Sequence, residues 1–155
     1  MGMDVYGQNP KNKSGEYFRN NVWWWRPLAI YVCNIAPDIT NHCENWQTND
    51  GDGLNETRSI QLAKKIKKDI ASGTASIYEQ TYQNRMQDMP DEKCTFCNGT
   101  GYRKNLPGYG GETKPCNGCD GVGQVRPIDT EYPFELSNVK EFANFLENCG
   151  GFEIW

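Results

Sequence analysis

Apolar residues recur every four positions between residues 55 and 71, which is the spacing of one face of a helix. Leu62, Ile66 and Ile70 form this apolar stripe, and lysines occupy the opposite face. Asn55 stands immediately before the stripe, where a side chain that caps the helix is favoured. The pattern therefore predicts an amphipathic helix over 55–71 that packs one face against a core.

Two more helices are predicted further along the chain. Residues 75–87 carry a stripe of Tyr78, Tyr82 and Met86 at helical spacing. Ser137 is a suitable N-cap for a last helix that ends before a pair of glycines. The apolar face of this last helix consists of Val139, Phe142, Phe145, Leu146 and Cys149.

Extended segments are predicted near both ends of the chain. Residues 20–25 contain three consecutive tryptophans and are expected to be extended and largely buried, with a short helix starting at Pro27. Residues 152–155 alternate like a short strand, which we expect at the edge of a sheet. We therefore predict an α+β fold, in which about three helices pack against a small sheet formed by the N-terminal segment and the tail.

A repeated cysteine motif carries the strongest chemical signal. The pattern Cys-x-x-Cys-x-Gly-x-Gly occurs at residues 94–101 and again at residues 116–123. Two intervening residues let both sulfurs of a tight turn face one ion, and the glycines permit positive φ beside the sulfurs. A redox or disulfide pair is the alternative, although a redox motif usually stands alone at a helix start. The repeat predicts one structural zinc ion held by Cys94, Cys97, Cys116 and Cys119.

This repeat resembles the cysteine-rich region of DnaJ-type Hsp40 co-chaperones, whose zinc hairpins are built from the same unit. The resemblance covers residues 94–123 only and implies a projecting, zinc-stapled hairpin. Those co-chaperones carry more units and more than one zinc ion, whereas two units provide a single site. The chain also lacks the His-Pro-Asp signature of a J-domain, because its one histidine, His42, precedes Cys43. Stimulation of Hsp70 is therefore not implied.

Length and composition indicate one folded domain. The 155 residues suit a single domain spanning 1–155, with residues 90–127 as a zinc-binding subdomain inserted before the C-terminal helix. The net charge of −4 disfavours general binding to nucleic acid, which usually accompanies a basic excess. No apolar run is long enough for a transmembrane helix, and we recognise no secretory signal. The number of cysteines, seven, is odd, which does not suit a set of disulfide pairs. With no secretory signal, this favours a reducing cytoplasm and metal binding over disulfides.

The run Trp23-Trp24-Trp25 is a candidate for binding a partner. Adjacent residues of a strand face opposite ways, so at least one ring is expected in a second interface or a groove. Such a ring could be a hot spot for a protein or a platform on which bases stack. The alternative is a strand whose two faces are both sealed by large rings.

The predicted loop between the two cysteine motifs is basic. Arg103, Lys104 and Lys114 either offset the charge of the thiolates or form a small contact surface.

A second metal site is a weaker hypothesis. Cys33, His42 and Cys43 are its candidate ligands, but a buried cysteine often behaves as a small hydrophobe.

The motifs of common enzymes are missing from the sequence. A single histidine leaves no obvious triad, and there is no P-loop, Rossmann fingerprint or metalloprotease motif. Four thiolates also leave a zinc ion no open position for water. We therefore expect a protein that is not an enzyme and whose zinc is structural.

Beyond the cysteine motif, the chain is similar to short phage and bacterial proteins that have no established activity. Residues 3–7, 15–27, 132–134 and 150–152 carry this similarity. It implies a small accessory protein in the host cytoplasm that binds a host protein, such as the transcription machinery or a defence complex. One alternative is a nucleic-acid-binding zinc protein that uses the basic loop and the tryptophans. Another is an enzyme with an unrecognised carboxylate site.

Overall fold

The chain folds into two compact units in a computed structural model that describes residues 2–104 and 111–155. The sheet unit comprises Met1–Asn84 and Tyr132–Trp155. The cysteine unit comprises Arg85–Glu131 and contains the predicted subdomain of residues 90–127. In the described part of the chain, no helix is both long enough and apolar enough to cross a membrane.

The two central helices predicted from the sequence are confirmed. Asn55 caps the helix of Glu56–Ala71, because its side-chain oxygen accepts a hydrogen bond from the Arg58 N–H at 3.0 Å. The described helices are α1 (Val22–Ile35), α2 (Pro37–Thr40), α3 (Glu56–Ala71), α4 (Thr74–Asp88) and α5 (Leu136–Asn148).

The last helix begins at a different residue from the one predicted. Its N-cap is Glu135 rather than Ser137, and the cap residue makes no side-chain hydrogen bond of its own. Instead, Glu79 of α4 accepts a hydrogen bond from the Leu136 N–H at 2.7 Å. A partner distant in sequence thus satisfies a free N–H group of the first turn, so the local capping signal at Ser137 was misleading.

A four-stranded antiparallel sheet is formed by β1 (Gly2–Gly7), β2 (Tyr17–Asn21), β3 (Asp52–Asn55) and β8 (Gly151–Ile154). Their spatial order is β2-β1-β8-β3. Val5 pairs with Phe18 of one neighbouring strand and with Ile154 of the other. The predicted C-terminal strand is confirmed, but its expected edge position is wrong, because strands pair with it on both sides.

The hydrophobic core lies against one face of this sheet. Met3 and Val5 of β1 are buried, and Phe152 and Ile154 of β8 point to the same side. Phe142 of α5 lies at the centre of an aromatic cluster. Its ring is in contact range of Phe18, Trp25, Trp46, Phe145 and Phe152. The fold is therefore α+β, as predicted.

The three consecutive tryptophans lie in α1, so the prediction of an extended segment is wrong. Asn21 Oδ1 accepts hydrogen bonds from the N–H groups of Trp23 and Trp24 at 3.0 and 3.1 Å, which starts the helix before Pro27. Successive residues of a helix point about 100° apart. Only Trp25 therefore enters the core, where it is fully buried, while Trp23 remains 37% exposed.

Candidate metal centre

Two short strand pairs bring the cysteine motifs together. Each pair places the start of one motif beside the end of the other. The Cys94 N–H donates to the Gly123 carbonyl at 2.9 Å, and the Cys116 N–H donates to the Gly101 carbonyl at 2.7 Å. The two motifs are thus related by an approximate two-fold axis. The pairs are β4 (Glu92–Lys93) with β7 (Gln124–Val125), and β5 (Tyr102–Arg103) with β6 (Lys114–Pro115).

Each motif folds into a tight turn that its own backbone holds. In the first motif the Gly99 N–H donates to the Cys94 carbonyl at 3.1 Å, and the equivalent bond of the second motif measures 3.0 Å. The residue after the second cysteine of each motif has left-handed φ, 52° at Asn98 and 50° at Asp120. Short polar side chains tolerate this conformation better than most others. The residue type at this variable position therefore suits the turn.

The four sulfurs of the motifs converge in a buried cluster. The distance from Cys94 Sγ to Cys116 Sγ is 3.9 Å, the distance from Cys97 Sγ to Cys119 Sγ is 3.7 Å, and all four sulfurs lie within 4.8 Å of one another. A disulfide would require about 2.05 Å. Sulfurs placed tetrahedrally about 2.3 Å from one ion are separated by about 3.8 Å. The cluster therefore has the size of a four-thiolate metal site, and it could hold one metal ion.

Backbone N–H groups point at two of the sulfurs. The Gly101 N–H lies 3.3 Å from Cys97 Sγ, and the Gly123 N–H lies 3.1 Å from Cys119 Sγ. Hydrogen bonds of this kind stabilise a thiolate relative to a thiol. The last glycine of each motif therefore supplies part of the environment that a metal-binding sulfur needs.

The thiols of the cluster differ in acidity. Burial acts to raise the pKa of Cys97, but hydrogen bonds from the Gly101 N–H, Cys94 and Cys119 together outweigh it and lower that pKa to about 6. Burial and the neighbouring cysteines raise the pKa of Cys119 to about 11, despite the hydrogen bond from the Gly123 N–H. One thiolate therefore forms readily, and its charge opposes a second. A cation at the centre would remove that opposition.

Arg103 lies beside the cysteine cluster and is engaged by neighbours. Its Nη1 donates to Asn117 Oδ1 at 3.0 Å, and its guanidinium lies 5.6 Å from the centre of the Phe96 ring. The Phe96 ring itself is 67% exposed. This predicted partner-binding residue is therefore held against an exposed aromatic side chain.

The two predicted lysines of the loop lie in different surroundings. Lys114 Nζ forms an ion pair with Glu112 at 2.8 Å. Lys104 is exposed, and residues 105–110 of the loop lie outside the described residues.

The three consecutive tryptophans lie in the sheet unit, as do the candidate ligands of the second metal site. Trp23 packs against the Tyr132 ring with the centres 4.8 Å apart, and Trp24 is half-buried. Trp25 is fully buried and its Nε1 donates to the Trp46 carbonyl, so it is not available at the surface. Trp25 was predicted to contact a partner, and its burial corrects that prediction.

Cys33, His42 and Cys43 do not come together as a ligand set. Cys43 Sγ donates to the Gly53 carbonyl at 2.9 Å, and burial raises its pKa to about 11. Burial also raises the pKa of Cys33, and His42 is exposed. Within residues 2–104 and 111–155, the four motif cysteines are the only group of histidine, cysteine or acidic side chains arranged to hold an ion.

Three exposed aromatic side chains of the sheet were missed by the sequence analysis. They are Tyr6, Tyr17 and Trp155. The signal was present at the N-terminus, where Tyr6 alternates with the apolar Met3 and Val5 positions as an outward-facing residue of a strand does.

Comparison of the chain with protein-family models, with curated proteins and with solved structures finds no match. The resemblance to the DnaJ-type zinc hairpin therefore rests on the two cysteine motifs and on the sulfur cluster that they form.

Proposed function

We propose that the protein is a zinc-stabilised interaction protein without enzymatic activity. The observation that carries the zinc assignment is the set of sulfur separations of 3.7 and 3.9 Å in a buried cluster. Thiolate ligands in a tetrahedral arrangement favour zinc among the common divalent ions. Cys94, Cys97, Cys116 and Cys119 would hold the ion.

The role proposed for zinc is structural. Four protein ligands complete a tetrahedron and leave no position for water or substrate. The cysteine unit is small, and its described strands contain only two residues each. Zinc binding in such sites contributes on the order of 10–16 kcal/mol, comparable with the whole stability of a small domain. The ion would therefore hold the cysteine unit in its folded form.

The proposed activity is the binding of a protein partner. Exposed apolar side chains at the tips of the cysteine motifs support it, since Phe96 is 67% exposed and Val122 is 73% exposed. The choice of a host protein, of the transcription machinery or of a defence complex, follows only from the resemblance of residues 3–7, 15–27, 132–134 and 150–152 to small phage and bacterial proteins, for which the comparisons give no match.

Elemental analysis of the purified protein tests the metal assignment. We expect one zinc per chain, and we expect Cys116→Ser to lose it. Cys43→Ser is the matched control, because this cysteine lies outside the cluster and a hydroxyl can retain the bond to the Gly53 carbonyl. Full zinc content in Cys116→Ser, or iron in place of zinc, would contradict the assignment.

Nucleic-acid binding is the second candidate function, and the placement of Arg103 over the exposed Phe96 ring is the observation that favours it. Binding to single-stranded and duplex DNA, titrated with salt, separates the two. Contact with phosphates requires an affinity that falls steeply as salt rises.

Affinity capture from host lysate with zinc-loaded protein should then recover a specific protein if the first proposal is correct.

A further inference from the structure

The face of the four-stranded sheet opposite the core combines exposed aromatic rings with carboxylates. Tyr6 is 48% exposed, Tyr17 is 41% exposed and Trp155 is 53% exposed. Asp4 and Glu153 occupy neighbouring positions on the same face, because side chains two residues apart in a strand point to the same side. We call these five residues the aromatic–acidic face.

The rings of this face form a tyrosine pair and a separate indole. Tyr6 and Tyr17 lie opposite each other in β1 and β2, with ring centres 5.0 Å apart. Trp155 lies opposite Asp4, since the two backbones exchange hydrogen bonds of 3.0 and 2.8 Å. Its indole leans away from β1 towards Gly51, and its Nε1 donates to Glu153 Oε2.

Each carboxylate of the face is held by an aromatic hydrogen-bond donor. The Tyr17 hydroxyl donates to Asp4 Oδ1, and this bond raises the pKa of Tyr17. Trp155 Nε1 donates to Glu153 Oε2 at 3.2 Å, while Gln8 Nε2 donates to the other oxygen at 3.2 Å. Negative charge is thereby fixed beside the rings rather than left on mobile side chains.

Glycine keeps one border of the face flat. A Cβ placed on Gly51 would lie 2.8 Å from the Trp155 ring, so the indole lies directly over this backbone. Gly53 lies opposite Glu153 and likewise presents no side chain. Arg19, opposite Asp4, supplies one positive charge against the two carboxylates.

We propose that the aromatic–acidic face binds a positively charged segment of a protein partner, one rich in arginine or lysine. Aromatic rings attract cations over their faces, and the adjacent carboxylates add charge complementarity. The net charge of −4 acts in the same direction and disfavours a polyanion. The inference rests on the proposed function, which it deepens by naming the surface and the chemistry of the partner.

Fluorescence anisotropy with the full zinc-loaded chain tests this inference. The probe is a labelled peptide of alternating arginine and glycine, compared with a glutamate–glycine peptide and with oligothymidylate. We expect only the arginine peptide to bind. The variant Tyr6→Ser/Trp155→Ser should weaken its binding about tenfold, as expected when cation–π contacts at an exposed surface are removed.

Matched controls separate this surface from general charge attraction. Asp4→Asn should weaken peptide binding, whereas Asp38→Asn, which removes an exposed carboxylate of α2, should not. Ile77→Ser, which removes an apolar side chain that is 66% exposed on α4, should also have no effect. Equal losses in the face variants and the controls, or tighter binding of oligothymidylate, would overturn the inference.

Zinc content measured on the same samples keeps the two proposals distinct. Protein with full zinc that fails to bind the arginine peptide refutes the role of the aromatic–acidic face only. Protein without zinc refutes the metal assignment, whatever the peptide does.

Discussion

Gly121 and Gly123 offer a matched pair of substitutions in the second cysteine motif. Both have positive φ, 82° and 87°. Alanine at either position is therefore strained by about 1–2 kcal/mol. Only Gly123 is also crowded, because a Cβ there would lie 2.5 Å from the Gly99 carbonyl oxygen. A Cβ on Gly121 would first meet Pro115 Cβ at 3.4 Å, which is ordinary contact.

The crowding at Gly123 should appear as lost metal affinity. The atom in the way belongs to the backbone of the first motif, so the two motifs must move apart to admit a methyl group. Such overpacking costs about 1–3 kcal/mol. Because zinc binding and folding are coupled in small sites, both terms reduce zinc affinity. At about 1.4 kcal/mol per factor of ten, Gly121→Ala should weaken binding roughly 5- to 30-fold, and Gly123→Ala by a further factor of roughly 5 to 150.

Competition with a chromophoric zinc chelator at neutral pH measures these affinities. Gly73→Ala serves as the control, because Gly73 also has positive φ, 80°, but has no atom within 4 Å of its added Cβ and lies outside the cysteine unit. Its zinc affinity should equal that of the unsubstituted protein. Equal losses in the Gly121 and Gly123 variants would refute the argument that contact between the motifs shapes the site.

Three further predictions concern the sheet unit. Phe142→Ala should lower the free energy of unfolding in urea by about 3–5 kcal/mol. Ile77→Ala, at a position 66% exposed, should change it by less than about 0.5 kcal/mol. Similar values for the two variants would refute the assignment of the core. Asn55→Ala should lower the same free energy by about 1 kcal/mol, because the Arg58 N–H loses its acceptor; no change would argue against the cap. Alkylation of Cys43 by iodoacetamide, located by mass spectrometry, should be slow at pH 8 and accelerate towards pH 11, because the thiolate is the reacting form and the folded pKa is about 11. The unfolded chain loses the Cys43 proton at a lower pH than the folded protein does, so the free energy of unfolding should fall as the pH rises from about 9 to 11. An alkylation midpoint near pH 8.5 would contradict the burial of this thiol.

The features predicted correctly from the sequence depend on local signals. The C-x-x-C-x-G-x-G motif encodes its own turn, because the left-handed residue and the glycines lie within one short segment. The stripe of α3 places Leu62, Ile66 and Ile70 at four-residue spacing on one helix face, and Asn55 caps the helix from the adjacent position. Neither feature needs information from elsewhere in the chain.

Of the features predicted wrongly, one depends on an overlooked local signal and two on distant partners. Three adjacent tryptophans are compatible with a strand, and Asn21 decides for a helix by capping it from the position directly before. The C-terminal strand is central because Asp52–Asn55 pairs with its second side, which no local pattern of residues 152–155 indicates. The start of α5 is likewise decided by Glu79, which is 57 residues away from Leu136.

The pairing of β4 with β7 places the two ends of the metal-binding segment next to each other. Glu92 pairs with Val125, and Arg126 follows immediately and donates to Asp91 and to the Met89 carbonyl. A chain that enters and leaves at neighbouring points can be inserted into a surface turn without opening the structure around it. The segment from Met89 to Arg126 therefore has the architecture of a transferable cassette. Grafted into an exposed loop of an unrelated protein, it should carry its metal site with it.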